Sequence, residues 1–95
     1  MQYTLTRKAE SDLEGIIDFG VSRWGVSQTL KYLDQLQKCI QMLAENSSIG
    51  IKRDTLSAGL FSFPYESHIL YYIQASNGVT IIRILHGSMD AMKHM

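Results

Sequence analysis

Apolar residues recur with two different periods along this chain, and the change of period separates a helical half from a strand half. Tyr3 and Leu5 alternate with polar neighbours, which predicts a short first strand. From Arg7 to about Arg23, Ala9, Leu13, Ile16, Ile17, Gly20 and Trp24 return at helical spacing and line one face, with Thr6 placed to cap the helix. Glu10, Asp12 and Glu14 fall in its first half, where carboxylates favour the positive end of the helix dipole. Gly25 predicts the stop, since glycine tolerates the backbone of a helix C-terminus. Leu30, Leu33, Leu36, Ile40, Leu43 and Ala44 form a second seam from about Val26 to Glu45, and so short a connection folds the helices into an antiparallel hairpin.

Asn46-Ser47-Ser48-Ile49-Gly50 ends the second helix, and a surface loop carrying Lys52 and Arg53 is expected next. Beyond Gly59, Leu60–Phe63, Ser67–Gln74 and Val79–His86 are rich in β-branched and aromatic residues and predict strands. Asn77-Gly78 reads as a tight hairpin turn using positive φ. In the last strand, alternation places Thr80, Ile82 and Ile84 on one face and Val79, Ile81 and Leu85 on the other, so that strand is expected to be central. The order strand, helix, helix, strand, strand, strand describes an α+β domain: a small, mostly antiparallel sheet with an N-terminal helical hairpin packed on it. Residues 1–95 form a single domain in this reading, too small to bury both sheet faces fully, so some apolar strand or helix surface is left for a partner.

Charge changes the picture by exclusion. Nine Lys and Arg balance nine Asp and Glu, so no overall positive field attracts a nucleic-acid backbone. The lone Cys39 cannot form an intramolecular disulfide, which suits a reducing cytoplasm, and no apolar run is long enough for a membrane span.

A guanidinium in the middle of an apolar strand has to be paired or aimed at something outside the core. For Arg83 the expected pairing is with a helix carboxylate such as Glu14 or Asp18, and the alternative is a binding role on the sheet. His86, three residues on, falls on the opposite face of a regular strand. Cys39 lies beside the second seam with no adjacent base and reads as a packing residue. His68, His86 and His94 sit in separate segments without the spacing of zinc ligands, so neither a metal nor any other cofactor is expected. A nucleophile elbow and a phosphate-cradling glycine loop are both missing. Tyr65, Tyr71 and Tyr72 could stack bases, but half-buried strand tyrosines explain them equally well.

Several short segments, taken in order, resemble the ParE branch of the RelE/ParE toxin superfamily. They are Ala9-x-x-Asp12-Leu13-x-x-Ile16, Trp24-Gly25, Leu43-Ala44-Glu45-Asn46, Gly59-Leu60, Ser67-His68-x-Leu70-x-Tyr72, Arg83-Ile84-Leu85-His86 and Met89-Asp90. The resemblance implies a bacterial type II toxin that binds DNA gyrase and traps it with its DNA cut, without being an enzyme or binding nucleic acid alone. It implies a ParD-like antitoxin as partner. RelE-like relatives instead cleave messenger RNA on the ribosome, and a shared scaffold does not decide between the two.

Cleavage of RNA needs a cluster of basic groups, and Lys52, Arg53, Arg83 and Lys93 are a thin supply in the sheet half. Phe61 stands where many relatives carry Arg after Gly-Leu, which keeps an inactive homologue as a third reading. On the gyrase reading, the last strand and tail present Arg83, His86, Met89 and Asp90 to the target, with the tail methionines adapting to its surface. The antitoxin is expected on Phe19, Tyr32 and Met42, which stand off the helical seams.

Overall fold

The structure is a computed structural model and describes residues 2–95. Its elements are β1 (Gln2–Leu5), α1 (Arg7–Trp24), α2 (Val26–Glu45), β2 (Ile51–Lys52), β3 (Leu60–Tyr65), β4 (His68–Ala75), β5 (Gly78–His86) and a single-turn α3 (Ala91–His94). Thr6 caps α1 as expected, its Oγ1 accepting the Ala9 N–H at 3.1 Å. Gly25, at φ 87°, ends α1 and begins α2. The two helices approach so closely at Gly20 that a Cβ there would lie 2.8 Å from Thr29 Oγ1. Thr29 therefore takes a buried position on α2, and Leu30, expected on the seam, is 60% exposed.

The described residues form a five-stranded sheet in the order β1-β5-β4-β3-β2, with β1 parallel to β5 and the other neighbours antiparallel. The central place of β5 follows the expectation. The loop expected at Lys52 and Arg53 begins instead with β2, an edge strand whose Ile51 pairs with Ser62 and Lys52 with Phe61. Arg53 follows it and donates from Nε to the buried Ser62 Oγ at 2.8 Å.

At the last hairpin Ala75 pairs with Gly78, so the turn residues are Ser76 and Asn77, and Asn77 does not take a positive φ. Gly78 is already in the strand at φ 143°, where a Cβ would come within 1.7 Å of the Gln2 carbonyl oxygen. Glycine is required there by the approach of β1 as well as by the backbone.

A bulge corrects the expected facing of β5. Tyr71 pairs with Arg83 but Tyr72 with Ile81, which leaves Ile82 as an extra residue. One extra residue reverses the alternation beyond it. Val79, Ile81 and Ile84 consequently share the core beneath the helices with Ala9, Leu36, Leu43, Leu70 and Tyr72. Ile82 and Leu85 belong to the second face, with Leu60, Tyr71, Leu56, Ala91 and Met95. The chain's own tail, through Ala91 and Met95, thus covers part of the sheet face opposite the helices. No helix of the described residues is long and apolar enough to cross a membrane.

Candidate functional site

The pairing of β1 with β5 stops at Ile81, and the start of α1 takes over along that edge. Thr6 donates from its N–H to the Ile81 carbonyl at 3.0 Å and from Oγ1 to the Ile82 carbonyl at 2.8 Å. Asp12 Oδ2 then accepts the Ile84 N–H at 2.9 Å. The same carboxylate receives Arg83 in a bidentate pair, Nε to Oδ2 and Nη2 to Oδ1, both at 2.8 Å. Planar guanidinium and carboxylate match in this geometry, which makes the bonds among the stronger of their kind. The bonds to Asp12 also push the Arg83 pKa above its ordinary value.

The guanidinium does pair with a helix carboxylate, as expected, but the residue is Asp12 and not Glu14 or Asp18, which are both exposed; Asp12 lies where α1 runs beside the strand edge. Nη1 of Arg83 donates in addition to the carbonyl of His94 in the tail. Arg83 and Asp12 side chains are each only 14% exposed, so most of the guanidinium surface is already committed within the chain.

Beside this pair a cleft of about 540 Å³ opens between α1 and the C-terminal half of β5. Ile16, Phe19, Trp24, Leu85 and Met89 supply apolar walls, while Arg83, His68 and His86 supply the polar ones. Its rings Phe19 and Trp24 lie 5.9 Å apart and His68 and His86 5.6 Å apart between centroids, and Tyr32, outside the lining, joins the two pairs at 5.9 Å from Trp24 and 6.0 Å from His68. The two histidines face each other because they are directly paired across β4 and β5.

Burial, and then the neighbouring His86, hold the His68 imidazole below its ordinary pKa. Burial pushes the Tyr32 phenol up, against the lowering effect of a hydrogen bond from Ser67. With both groups neutral, we assign Tyr32 as donor to His68 Nδ1, 2.7 Å away. His86 is exposed, and its Nδ1 accepts the Ser88 N–H at 3.1 Å. The arrangement suits docking of an apolar segment with a few polar anchor points.

Of the residues expected at the target surface, Arg83, His86 and Met89 line this cleft together. Asp90 is exposed and accepts the Met92 N–H at 3.0 Å, which starts α3. Of those expected for the antitoxin, Phe19 is 54% exposed and lies in the same cleft, so the structure brings together residues that sequence assigned to separate surfaces. Tyr32 and Met42, expected outside the core, pack against it. Tyr32 is covered by the end of β3 and the start of β4, meeting Tyr65 at 5.4 Å as well as His68. Sequence reasoning missed Asp12, Trp24 and His68 as parts of the site. Helical spacing puts Asp12 in phase with Ala9 and Ile16, which was a signal in the sequence, whereas the pairing of His68 with His86 depends on the bulge in β5 and was not legible there.

A family model described as the ParE toxin of the type II toxin-antitoxin system parDE matches residues 3–91. The chain belongs to the ParE toxin family. Toxin ParE1 of Caulobacter vibrioides is 39% identical over 93 residues, covering 98% of this chain and 96% of that protein. Toxin ParE1 of Mycobacterium tuberculosis is 35% identical over 95 residues, covering 99% and 97%. Toxin ParE of Escherichia coli is 31% identical over 94 residues, covering 98% and 91%. A solved structure of the chromosomal ParDE TA system from P. aeruginosa contains a chain that matches with a TM-score of 0.76, over 90% of this chain and 95% of that one, at 24% identity. That likeness bears on the fold, which it shares. In this ParE-family chain Phe61 is buried and stacks on Tyr72 at 5.4 Å and 16°, so the position after Gly59-Leu60 belongs to the core beneath the helices.

Proposed function

We propose that this chain is the toxin of a type II pair in the cytoplasm, inhibiting DNA gyrase by binding and trapping its cleaved-DNA complex, without catalysing a reaction. Family membership over residues 3–91 carries this reading. The site is consistent with it. The guanidinium of the cleft is already neutralised by Asp12, which weakens the case for a phosphate-stabilising cation and so for an RNA-cleaving toxin. His86, Met89 and the Asp90 turn supply a target surface of mixed apolar and polar character, with Arg83 behind it.

A ParD-like antitoxin neutralises the toxin by laying an amphipathic segment in the cleft over Phe19, and it thereby covers His86 and Met89. Phe19→Ala is expected to weaken antitoxin affinity about tenfold or more, the range of a truncated aromatic anchor. Tyr32→Ala and Met42→Ala, at more covered positions, should have smaller effects on binding and larger ones on stability, separable by titration calorimetry and thermal melting.

The deciding experiment adds the purified chain to gyrase with plasmid DNA, and separately to a translating extract. Loss of supercoiling with protein-linked DNA breaks is expected, with messenger RNA intact. Cut messenger RNA beside untouched gyrase overturns the reading in favour of a ribosome-dependent nuclease. Absence of both effects, with unimpaired growth on induction, overturns it in favour of an inactive homologue that serves as the antitoxin's partner.

A further inference from the structure

Arg83 is the residue that sequence reasoning aimed at the target, yet its hydrogen-bonding groups are turned inward. Nε and Nη2 are held by Asp12 on α1, and Nη1 reaches the His94 carbonyl at the end of α3. Asp12 is fixed in turn by the Ile84 N–H of β5. Ala91 and Met95, on either side of the Arg83 contact, pack against Leu60, Tyr71 and Leu85 on the second sheet face. A chain of contacts therefore runs from α1 through a strand guanidinium to the last turn of the molecule. Apart from these two residues the tail is exposed, with Met92 75% and Met89 47% open to solvent. A single helical turn has too few internal bonds to be stable alone.

We propose that Asp12 and Arg83 form a latch for the C-terminal segment, so that Arg83 is a positioning residue that acts on the target through the tail it holds. This rests on the assignment of the tail to target binding. Bidentate pairing leaves Nη1 free to take the carbonyl while the charge stays neutralised, a combination that a lysine ammonium cannot reproduce in the same plane.

The full-length chain with Arg83→Lys, and separately with Asp12→Asn, is compared with wild type by methyl NMR of the methionines, leucines and isoleucines. In both variants the Met95 methyl resonance should move toward its free-chain position and lose its contacts to the second-face cluster, while Leu70 and Ile81 signals stay in place. Arg83→Lys keeps a cation beside Asp12, so it remains informative if Asp12→Asn does not fold. An unchanged Met95 environment in folded Arg83→Lys overturns the latch, whatever gyrase does.

Binding to gyrase supplies the second arm. Arg83→Lys should weaken it about tenfold, the loss of a charge-assisted hydrogen bond. In a background where Ala91→Asp and Met95→Ser already loosen the tail, the same change should have no further effect. A persistent tenfold loss there overturns the latch in favour of direct target contact. If no form of the chain binds gyrase, the functional reading fails and the Met95 measurement still decides the latch.

Discussion

Tyr72 shows how one polar atom in the core can fix a loop. The side chain is fully buried, and its hydroxyl donates to the Ser47 carbonyl at 2.9 Å while accepting the Gly50 N–H at 3.0 Å. Gly50 has no room for a side chain, since a Cβ would lie 2.5 Å from that hydroxyl. Tyr72→Phe leaves two backbone groups of the segment after α2 without this partner and should cost about 1–3 kcal/mol in denaturant unfolding. Hydrogen exchange at Gly50 should quicken in the same variant. His68 gives a second prediction at this scale, with a definite sign. Its folded pKa lies below the ordinary 6.5 through burial and the neighbouring His86. The unfolded chain therefore takes up the proton first, so the stability gained from neutral His68 is full above 6.5 and is lost as the pH falls through the lower folded value. Unfolding free energies of wild type should decline across that window, and those of His68→Gln should decline less steeply.

At the scale of elements, legibility in the sequence followed the strength of local pattern. Both helices were readable because Ala9, Ile16, Leu36, Ile40 and Leu43 keep helical spacing and all reach the core. β2 was not, because a two-residue edge strand with both side chains exposed has no periodicity to reveal it. The bulge at Ile82 was hidden for a different reason: apolar residues occupy both faces of β5, so reversing the alternation leaves the pattern looking the same. That also explains the site. The oddity of Arg83 was visible as a charge within an apolar run, but its partner depended on where β1 stops pairing, which only the assembled sheet determines. Gly78 turns this dependence into a test. Ala at that position meets the Gln2 carbonyl and a φ of 143°, so Gly78→Ala should detach β1 from β5. A loss of about 3 kcal/mol or more is expected from combined strain and broken pairing, with exchange quickening at Thr4 and Leu5 before the β3–β4 pair.

For the whole molecule, the balance of charge distinguishes a protein-docking toxin from one that grips a phosphate backbone. The formal charge is zero, and the guanidinium nearest the cleft is paired internally with Asp12. A chain that neutralised several phosphates would release condensed counterions on binding, and its affinity would fall by about a thousandfold or more between roughly 50 and 200 mM salt. Docking through the exposed Phe19, Trp24 and Met89 releases none, since the apolar contribution depends on buried area and strengthens slightly as salt increases. The affinity of the chain for an isolated gyrase subunit, measured without DNA, should therefore change by no more than about threefold over that range. Leaving DNA out matters, because the enzyme's own grip on its substrate is salt-dependent and would mask the toxin's contribution. A steep slope in the DNA-free measurement would mean that binding depends on charges other than those of the cleft, and would move the contact surface to the exposed lysines and arginines of the helices.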